Sequence, residues 1–316
     1  MYTLTQTINF SQTYIEYSPL TAGAGFEPAL SIASMIRSTI MNSPFTWPWN
    51  RNEWAIGSPN TPKSLTAGTQ DYVFPITDFA YLEKVSLLSE DGAYGYELKD
   101  IYNRNILGVP AESAQAQPNA ASVKLYIPGV SMALRFLSNP DQAYTGTLTY
   151  QKLALPFQQF DIDSVAMAAG GNTTYTGTFN PTLFTVGQPA LIVNFNSAVN
   201  NGSFNIVSVT PTTLILANPN GVAETTEAFA INHSWYPIPD SFMDIFNNLF
   251  LAEAMDVVDA TGQYYRQRGI AALLSKAEGL TEMQTNAFLA QWVSRGSSQM
   301  MGAQLRTQQG SAARGV

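Results

Sequence analysis

The chain has 316 residues, 45% of them hydrophobic and 12% aromatic, which is enough to build more than one apolar core. Charged residues make up only 12% and the net charge is −8, so no basic surface favours tight nucleic-acid binding. The absence of cysteine excludes disulfides, thiolate catalysis and thiolate metal sites. The polar surface must be rich in amides and hydroxyls, which suits protein contacts because few charges need desolvating.

The first residues carry no targeting signal. MYTLTQTINF lacks the basic region and the apolar run of a signal peptide. No apolar segment reaches the ~18 residues that a membrane span needs. We therefore expect a soluble protein that is made in a cytoplasm and has no membrane contact.

Residues 1–68 are expected to contain an extended arm, one helix and a segment rich in tryptophan and proline. The alternation from Thr3 to Tyr17 indicates extended chain. The run PALSIASMIRSTIM, residues 28–41, predicts a helix because Pro28 suits a first turn and apolar residues recur on one face.

The tryptophan–proline segment, SPFTWPWNRNEW, follows this helix directly. Its prolines forbid a regular helix. Trp47, Trp49 and Trp54 are expected to anchor the preceding helix onto a neighbouring sheet. The alternative is that these rings stack on a ligand.

Residues 69–164 predict an antiparallel β-sandwich or barrel of about six strands. Segments such as YVFPI, YLEKVSLLSE and MALRFL alternate between apolar and polar positions. Turn signals, among them Pro128-Gly129 and Asn139-Pro140-Asp141, separate the segments.

Residues 165–232 predict a second, smaller β-module. Asn201-Gly202 between β-rich runs indicates a type I′ hairpin, and Asn218-Pro219-Asn220-Gly221 indicates another turn. The flanks, LPFQQFDIDS and HSWYPIPDSFMDIF, read as one connection from a strand to a helix. The module is therefore interpreted as an insertion at an exposed loop.

Residues 233–295 predict helices that pack with the helix at 28–41. Phe242, Leu249 and their neighbours form an apolar stripe. Gly279 suits a helix end, and Thr281 with Gln284 has the form of a capping box. The predicted fold class is thus α+β: a helical bundle from both chain ends, a β-domain, an inserted β-module, and a polar tail at 296–316.

Catalytic and cofactor motifs are missing from the sequence. The single histidine, His233, is a poor basis for a Ser-His-Asp triad and cannot form a histidine-rich metal site. There is no phosphate-binding loop and no nucleophile elbow. We expect no enzyme activity, no cofactor and no metal.

Three segments carry a family resemblance. The run GFEPALSIASMIRSTIMNSPFTWPWNRNEW, the β-domain ending LTYQKLALPF, and WYPIPDSFMDIFNNLFLAEAM resemble virion structural proteins of tailed bacteriophages. More narrowly, they resemble head-to-tail adaptor (neck) proteins of the tail-tubular-A type. The inserted segment resembles the small Ig-like β-modules of many phage virion proteins.

The resemblance implies a location in the virion neck and a homo-oligomeric ring, with twelve subunits expected. Such a ring joins the portal protein to the next tail or nozzle protein, and DNA passes through it without specific binding. It also implies that the C-terminal tail docks on the portal. The tail residues expected to make this contact are Met300, Met301, Leu305, Arg306 and Arg314.

Other functions remain open from the sequence. A subunit of the tail tube or nozzle would also form rings. A lectin-like or receptor-binding surface protein would use Trp47, Trp49 and Trp54 to stack on sugars.

Overall fold

The chain divides into two compact units. The first comprises Met1–Gln6 and Ser18–Asp240, and the second comprises Thr7–Tyr17 and Ser241–Val316. The fold is α+β, as predicted, with helices and antiparallel sheets. The computed structural model describes residues 1–15, 27–57, 65–89, 94–99, 101, 115–168, 170–257 and 261–290.

The described residues contain five α-helices. They are α1 (Leu4–Gln12), α2 (Ala29–Met41), α3 (Met243–Val257), α4 (Gln263–Lys276) and α5 (282–290). α2 matches the helix predicted at 28–41. It belongs to the first unit with the strands, whereas α3, α4 and α5 belong to the second unit. The predicted bundle of 28–41 with 233–295 is therefore not confirmed.

α1 corrects the expected extended arm. Leu4, Thr7, Ile8 and Ser11 are buried, and their spacing is that of one helical face. Two of these four residues carry hydroxyl groups, so the apolar pattern of the sequence did not display the face. Gln6 also supports the first turn, since its Oε1 accepts a hydrogen bond of 2.9 Å from the backbone nitrogen of Thr3.

Among the described residues, seven strands form the first β-region, as two sheets on one hydrophobic core. One sheet has the order β1-β7-β3-β4 and the other has the order β2-β6-β5. Leu82, Leu134, Phe136 and Leu148 are among the buried residues of the shared core. The strands are β1 (Arg51–Ile56), β2 (Asp71–Phe74), β3 (Phe79–Ser89), β4 (Gly95–Glu97), β5 (Ala120–Ile127), β6 (Ser131–Leu137) and β7 (Tyr144–Lys152).

The first strand of this region lies outside the range expected for it. β1 falls within residues 1–68 and pairs with β7 along its whole length, from Arg51 opposite Gln151 to Ile56 opposite Gly146. The Trp/Pro segment thus leads straight into a strand.

Six further strands close into an antiparallel barrel. Around the barrel they lie in the order β10-β11-β12-β9-β8-β13. Tyr175, Ile192, Leu214 and Ala230 are fully buried in its own core. The strands are β8 (Gln159–Ala168), β9 (Asn172–Gly177), β10 (Pro189–Val193), β11 (Gly202–Val209), β12 (Thr213–Leu216) and β13 (Ala228–Ile231).

The barrel begins before the expected boundary at 165. β8 starts at Gln159, which lies opposite Ile231 of β13. The first and last strands of the barrel are therefore neighbours, as an insertion into a single connection requires.

The predicted type I′ turn at Asn201-Gly202 is wrong. Asn201 has φ −95°, whereas that turn needs positive φ at both residues. Its side chain closes the longer connection 194–201: the Phe195 nitrogen donates to its Oδ1 at 2.9 Å, and its Nδ2 donates to the Phe195 carbonyl at 2.8 Å. The second predicted turn is present, and the Asn220 nitrogen donates to Oδ1 of Asn218 at 3.2 Å.

In the second unit, α3 and α4 pack closely. A Cβ on Gly269 of α4 would lie 2.8 Å from the Leu249 side chain of α3. Arg266 donates to Glu253 and to Asp256, which ties the same two helices together. The predicted capping box is present, since the Gln284 nitrogen donates to Oγ1 of Thr281 at 3.2 Å.

No helix in the described part of the chain is long and apolar enough to cross a membrane.

Candidate functional site: the two ends of the barrel

Several buried polar side chains lie at the two ends of the barrel. At the stem, which we define as residues 155–159 and 231–235, the chain enters and leaves the barrel. Asn232 connects these two segments. It accepts a hydrogen bond from the Gln158 nitrogen at 2.7 Å and donates to the carbonyls of Pro156 at 2.9 Å and Leu183 at 3.0 Å.

Arg37 of α2 holds both sides of the stem. It is 3% exposed and donates to the Leu155 carbonyl at 2.8 Å and to the Ser234 carbonyl. Its guanidinium lies 3.8 Å from the centre of the Phe157 ring. Burial lowers the pKa of Arg37 to about 9. Carbonyl dipoles and an aromatic face thus surround a buried charge that makes no salt bridge to a described residue.

His233 lies next in the stem and is 2% exposed. Its Nδ1 lies 3.1 Å from Oγ1 of Thr5, and its Nε2 lies 3.0 Å from Oγ of Ser203. Its backbone carbonyl accepts from the Leu4 nitrogen at 2.8 Å. Burial lowers the pKa of His233 to about 4, so the ring is neutral at pH 7.

The pair of Ser203 and His233 resembles part of a hydrolase triad, but its chemistry differs. A threonine hydroxyl occupies the position where a triad has a carboxylate. A ring with a pKa of about 4 is also a weak general base near neutral pH. This arrangement can hold the start of the chain against the barrel, and it is poorly suited to activating a nucleophile.

At the opposite end, three connections form the tip, which we define as residues 170–171, 194–201 and 217–227. A buried polar network links the second and third of these connections. Asn218 Nδ2 donates to the Tyr175 hydroxyl at 3.1 Å and to the Val199 carbonyl at 2.9 Å. Asn200 Nδ2 donates to the carbonyl of Val222 at 3.0 Å, and its Oδ1 accepts from the nitrogen of the same residue.

Glu224 completes the tip network. Its carboxylate accepts hydrogen bonds from the backbone nitrogens of Asn196 and Ser197, at 2.7 and 3.1 Å, and from Asn200 and Thr226. Despite the opposing effect of desolvation, these bonds lower the pKa of the Glu224 carboxyl. The loops are thus preorganised on a closed scaffold, an arrangement that proteins use to present contact surfaces.

The three tryptophans of the N-terminal segment differ in exposure. Trp47 is buried and stacked between Phe45 and Trp49, with ring centres 5.6 and 5.7 Å apart. It joins α2 to β7, because its Nε1 donates to the Ile40 carbonyl at 2.6 Å and its backbone bonds the Gln151 side chain. Trp49 and Trp54 are half-buried.

The predicted docking residues of the tail fall outside the described residues. These are Met300, Met301, Leu305, Arg306 and Arg314. Within the described ranges, no group of three or more His, Cys, Asp or Glu side chains could hold a metal ion.

Sequence reasoning did not identify Arg37, Asn232, Asn200 or Asn218. Their partners are mostly backbone carbonyls distant in the chain, and such partners leave no motif. The one available signal is an arginine inside a helix that has no other charged residue. No family model, no curated protein and no solved structure matches this chain.

Proposed function

We propose that the chain is a virion structural protein of a tailed bacteriophage: a ring-forming head-to-tail adaptor that joins the portal to the tail. The observation that carries this proposal is the use of the buried polar groups. Arg37, Asn232 and His233 hold the barrel at its stem, and Asn200 and Asn218 hold its tip. A fixed module with ordered loops is suited to assembly.

The charge distribution supports passage of DNA through such a ring. Neither lysine nor arginine occurs between Lys152 and Arg266. The barrel, from Gln159 to Ile231, therefore carries acidic residues and no basic ones. An acidic wall repels the phosphate backbone and prevents it from adhering.

We further propose that both chain ends contribute helices to the ring wall. Support comes from the second unit, which contains the later part of α1 together with α3 and α4. The rings of Tyr14 and Tyr265 lie 5.8 Å apart within this unit. Under this proposal, α1 is the N-terminal helix that contributes to the ring wall, whereas the sequence interpretation gave that role to α2.

The test is assembly with the portal protein encoded in the same genome. Negative-stain imaging and mass photometry of the purified chain with that portal should show rings, with twelve subunits expected, bound to portal complexes. A chain deleted for residues 297–316 should form the same fold and lose portal binding. A compact monomer in the presence of portal would refute the adaptor proposal.

A matched variant tests the inserted barrel separately. Replacement of residues 160–230 by a short linker should leave ring formation intact, because Gln159 and Ile231 are already neighbours. Loss of rings in this variant alone would assign the ring contacts to the barrel.

Two alternatives give different outcomes in the same experiments. A tail-tube or nozzle subunit would form rings that bind other tail components and not the portal. A lectin-like surface protein would bind glycans, but the burial of Trp47 between two rings leaves only Trp49 and Trp54 partly available. Glycan binding that is lost in Trp49→Ala would favour this alternative.

A further inference from the structure

The tip of the barrel contains two asparagine–glycine pairs in opposite environments. Asn201 precedes Gly202, and Asn220 precedes Gly221. This dipeptide is the one most prone to deamidation, because glycine has no side chain to obstruct attack by its own backbone nitrogen on the preceding amide. Whether the reaction occurs in a folded protein depends on how firmly the asparagine side chain is held.

The side chain of Asn201 is held at both ends. Oδ1 accepts from the Phe195 nitrogen at 2.9 Å, and Nδ2 donates to the Phe195 carbonyl at 2.8 Å. Attack on its Cγ requires the side chain to leave these bonds first. The folded tip therefore protects this amide.

The side chain of Asn220 is exposed and has no hydrogen-bond partner among the described residues. Gly221 is buried, but its nitrogen likewise donates to no described acceptor. Neither reacting group therefore has to break a hydrogen bond to a described residue before the reaction.

We propose that Asn220 is a site of spontaneous deamidation, and that Asn201, of the same dipeptide sequence, is protected by the fold. The Gly221 nitrogen loses its proton and forms a bond to Cγ of Asn220. The Cγ–Nδ2 bond breaks, and Nδ2 leaves as ammonia after taking up a proton. Water then opens the succinimide at either carbonyl, which yields aspartate or isoaspartate without any oxidant or further reactant.

The product changes the tip in two ways. It adds a negative charge to a barrel whose charged residues are Asp161, Asp163, Glu224 and Glu227. Isoaspartate also lengthens the main chain beside Gly221, where even a Cβ would come within 2.1 Å of the Thr173 hydroxyl. The modification therefore bears directly on the surface that the tip presents.

The test uses the intact chain, incubated at mildly alkaline pH. Trypsin leaves both pairs in one peptide, since no lysine or arginine lies between Lys152 and Arg266, but chymotrypsin can separate them at Phe204. Mass spectrometry then follows each amide, and an isoaspartyl methyltransferase assay identifies isoaspartate. Asn220 should deamidate at least about ten times faster than Asn201. This factor corresponds to a free energy of about 1.4 kcal/mol for the local opening that frees the Asn201 side chain.

Two controls make the outcome decisive. In concentrated urea the two rates should become similar, because the fold no longer protects Asn201. Asn220→Gln should remove the fast reaction, since glutamine cyclises far more slowly. Equal rates in the native protein, faster reaction at Asn201, or no reaction at Asn220 would each overturn the proposal.

Discussion

Protonation of His233 should destabilise the first unit as the pH falls from about 6.5 to about 4. The ring is neutral in the folded protein because burial lowers its pKa from 6.5 to about 4. Between these values the unfolded chain binds a proton that the folded chain does not, so the free energy of unfolding rises with pH. A difference of 6.5 − 4 is 2.5 units, which corresponds to about 3 kcal/mol lost once the pH is below the folded pKa.

The pKa can be measured directly because the chain has a single histidine. Its ring protons give one set of NMR signals, which should titrate near 4 in the native protein and near 6.5 in urea. A native ring that titrates close to its unfolded value would refute the reasoning. It would mean that the ring is not confined between Thr5 and Ser203 as the structure describes.

Stability measurements provide the second half of this test. His233→Gln keeps an amide that can bond the same two hydroxyls but cannot titrate, so unfolding in urea should lose its pH dependence in the upper part of the window. The carboxyls of Asp71, Glu83 and Glu224 have pKa values that are lowered in the folded protein, because the hydrogen bonds that they accept outweigh the opposing effect of burial. Their ordinary pKa values are 3.8 to 4.5, so their effect on stability is confined to the acid edge of this range. Equal losses in both proteins would assign the effect to other groups.

Four further substitutions test the packing. Arg37→Lys should lower the free energy of unfolding by about 2 kcal/mol in urea titrations, because an ammonium cannot bond both stem carbonyls and lie flat on an aromatic ring. Gly177→Ala should lower the free energy of unfolding by more than about 2 kcal/mol, since its Cβ would lie 2.2 Å from the Asp161 carbonyl oxygen. The Cβ of Gly187→Ala would meet no atom within 4 Å, so this substitution should cost only about 1 kcal/mol, for its positive φ. Differential scanning fluorimetry should show the larger loss of stability for Gly177→Ala. Thr281→Ala should cost about 1 kcal/mol of helix stability, measured as faster hydrogen exchange in α5.

The two Thr-x-x-Gln pairs show how far sequence reasoning reaches. Thr281 with Gln284 was recognised because a regular apolar pattern follows it. The same pattern at Thr3 with Gln6 was overlooked, because two positions of the buried face of α1 are Thr7 and Ser11. When hydrophobicity alone is considered, the sequence of a helix whose buried face includes hydroxyl-bearing residues can show the same alternating pattern as a strand.

In the β-module, features that depend on neighbouring residues could be predicted, and features that depend on distant residues could not. Its existence and the turn at Asn218 followed from local composition, and both are present. The conformation at Asn201 could not be derived, because the side chain bonds the backbone of Phe195 and so closes a longer loop. Arg37 is the extreme case, since its two carbonyl partners lie 118 and 197 residues away in the sequence.

The way the barrel is inserted links these details to the proposed function. A barrel whose first and last strands are paired can enter a loop without separating the surrounding structure, and it can fold around its own core. Its orientation, however, depends on groups outside it: Arg37 from α2 and Thr5 from α1. Without these two contacts the barrel should therefore keep its fold and lose its fixed direction. These clamps fix the direction in which the tip points, which suits a surface that must meet a partner in a set orientation.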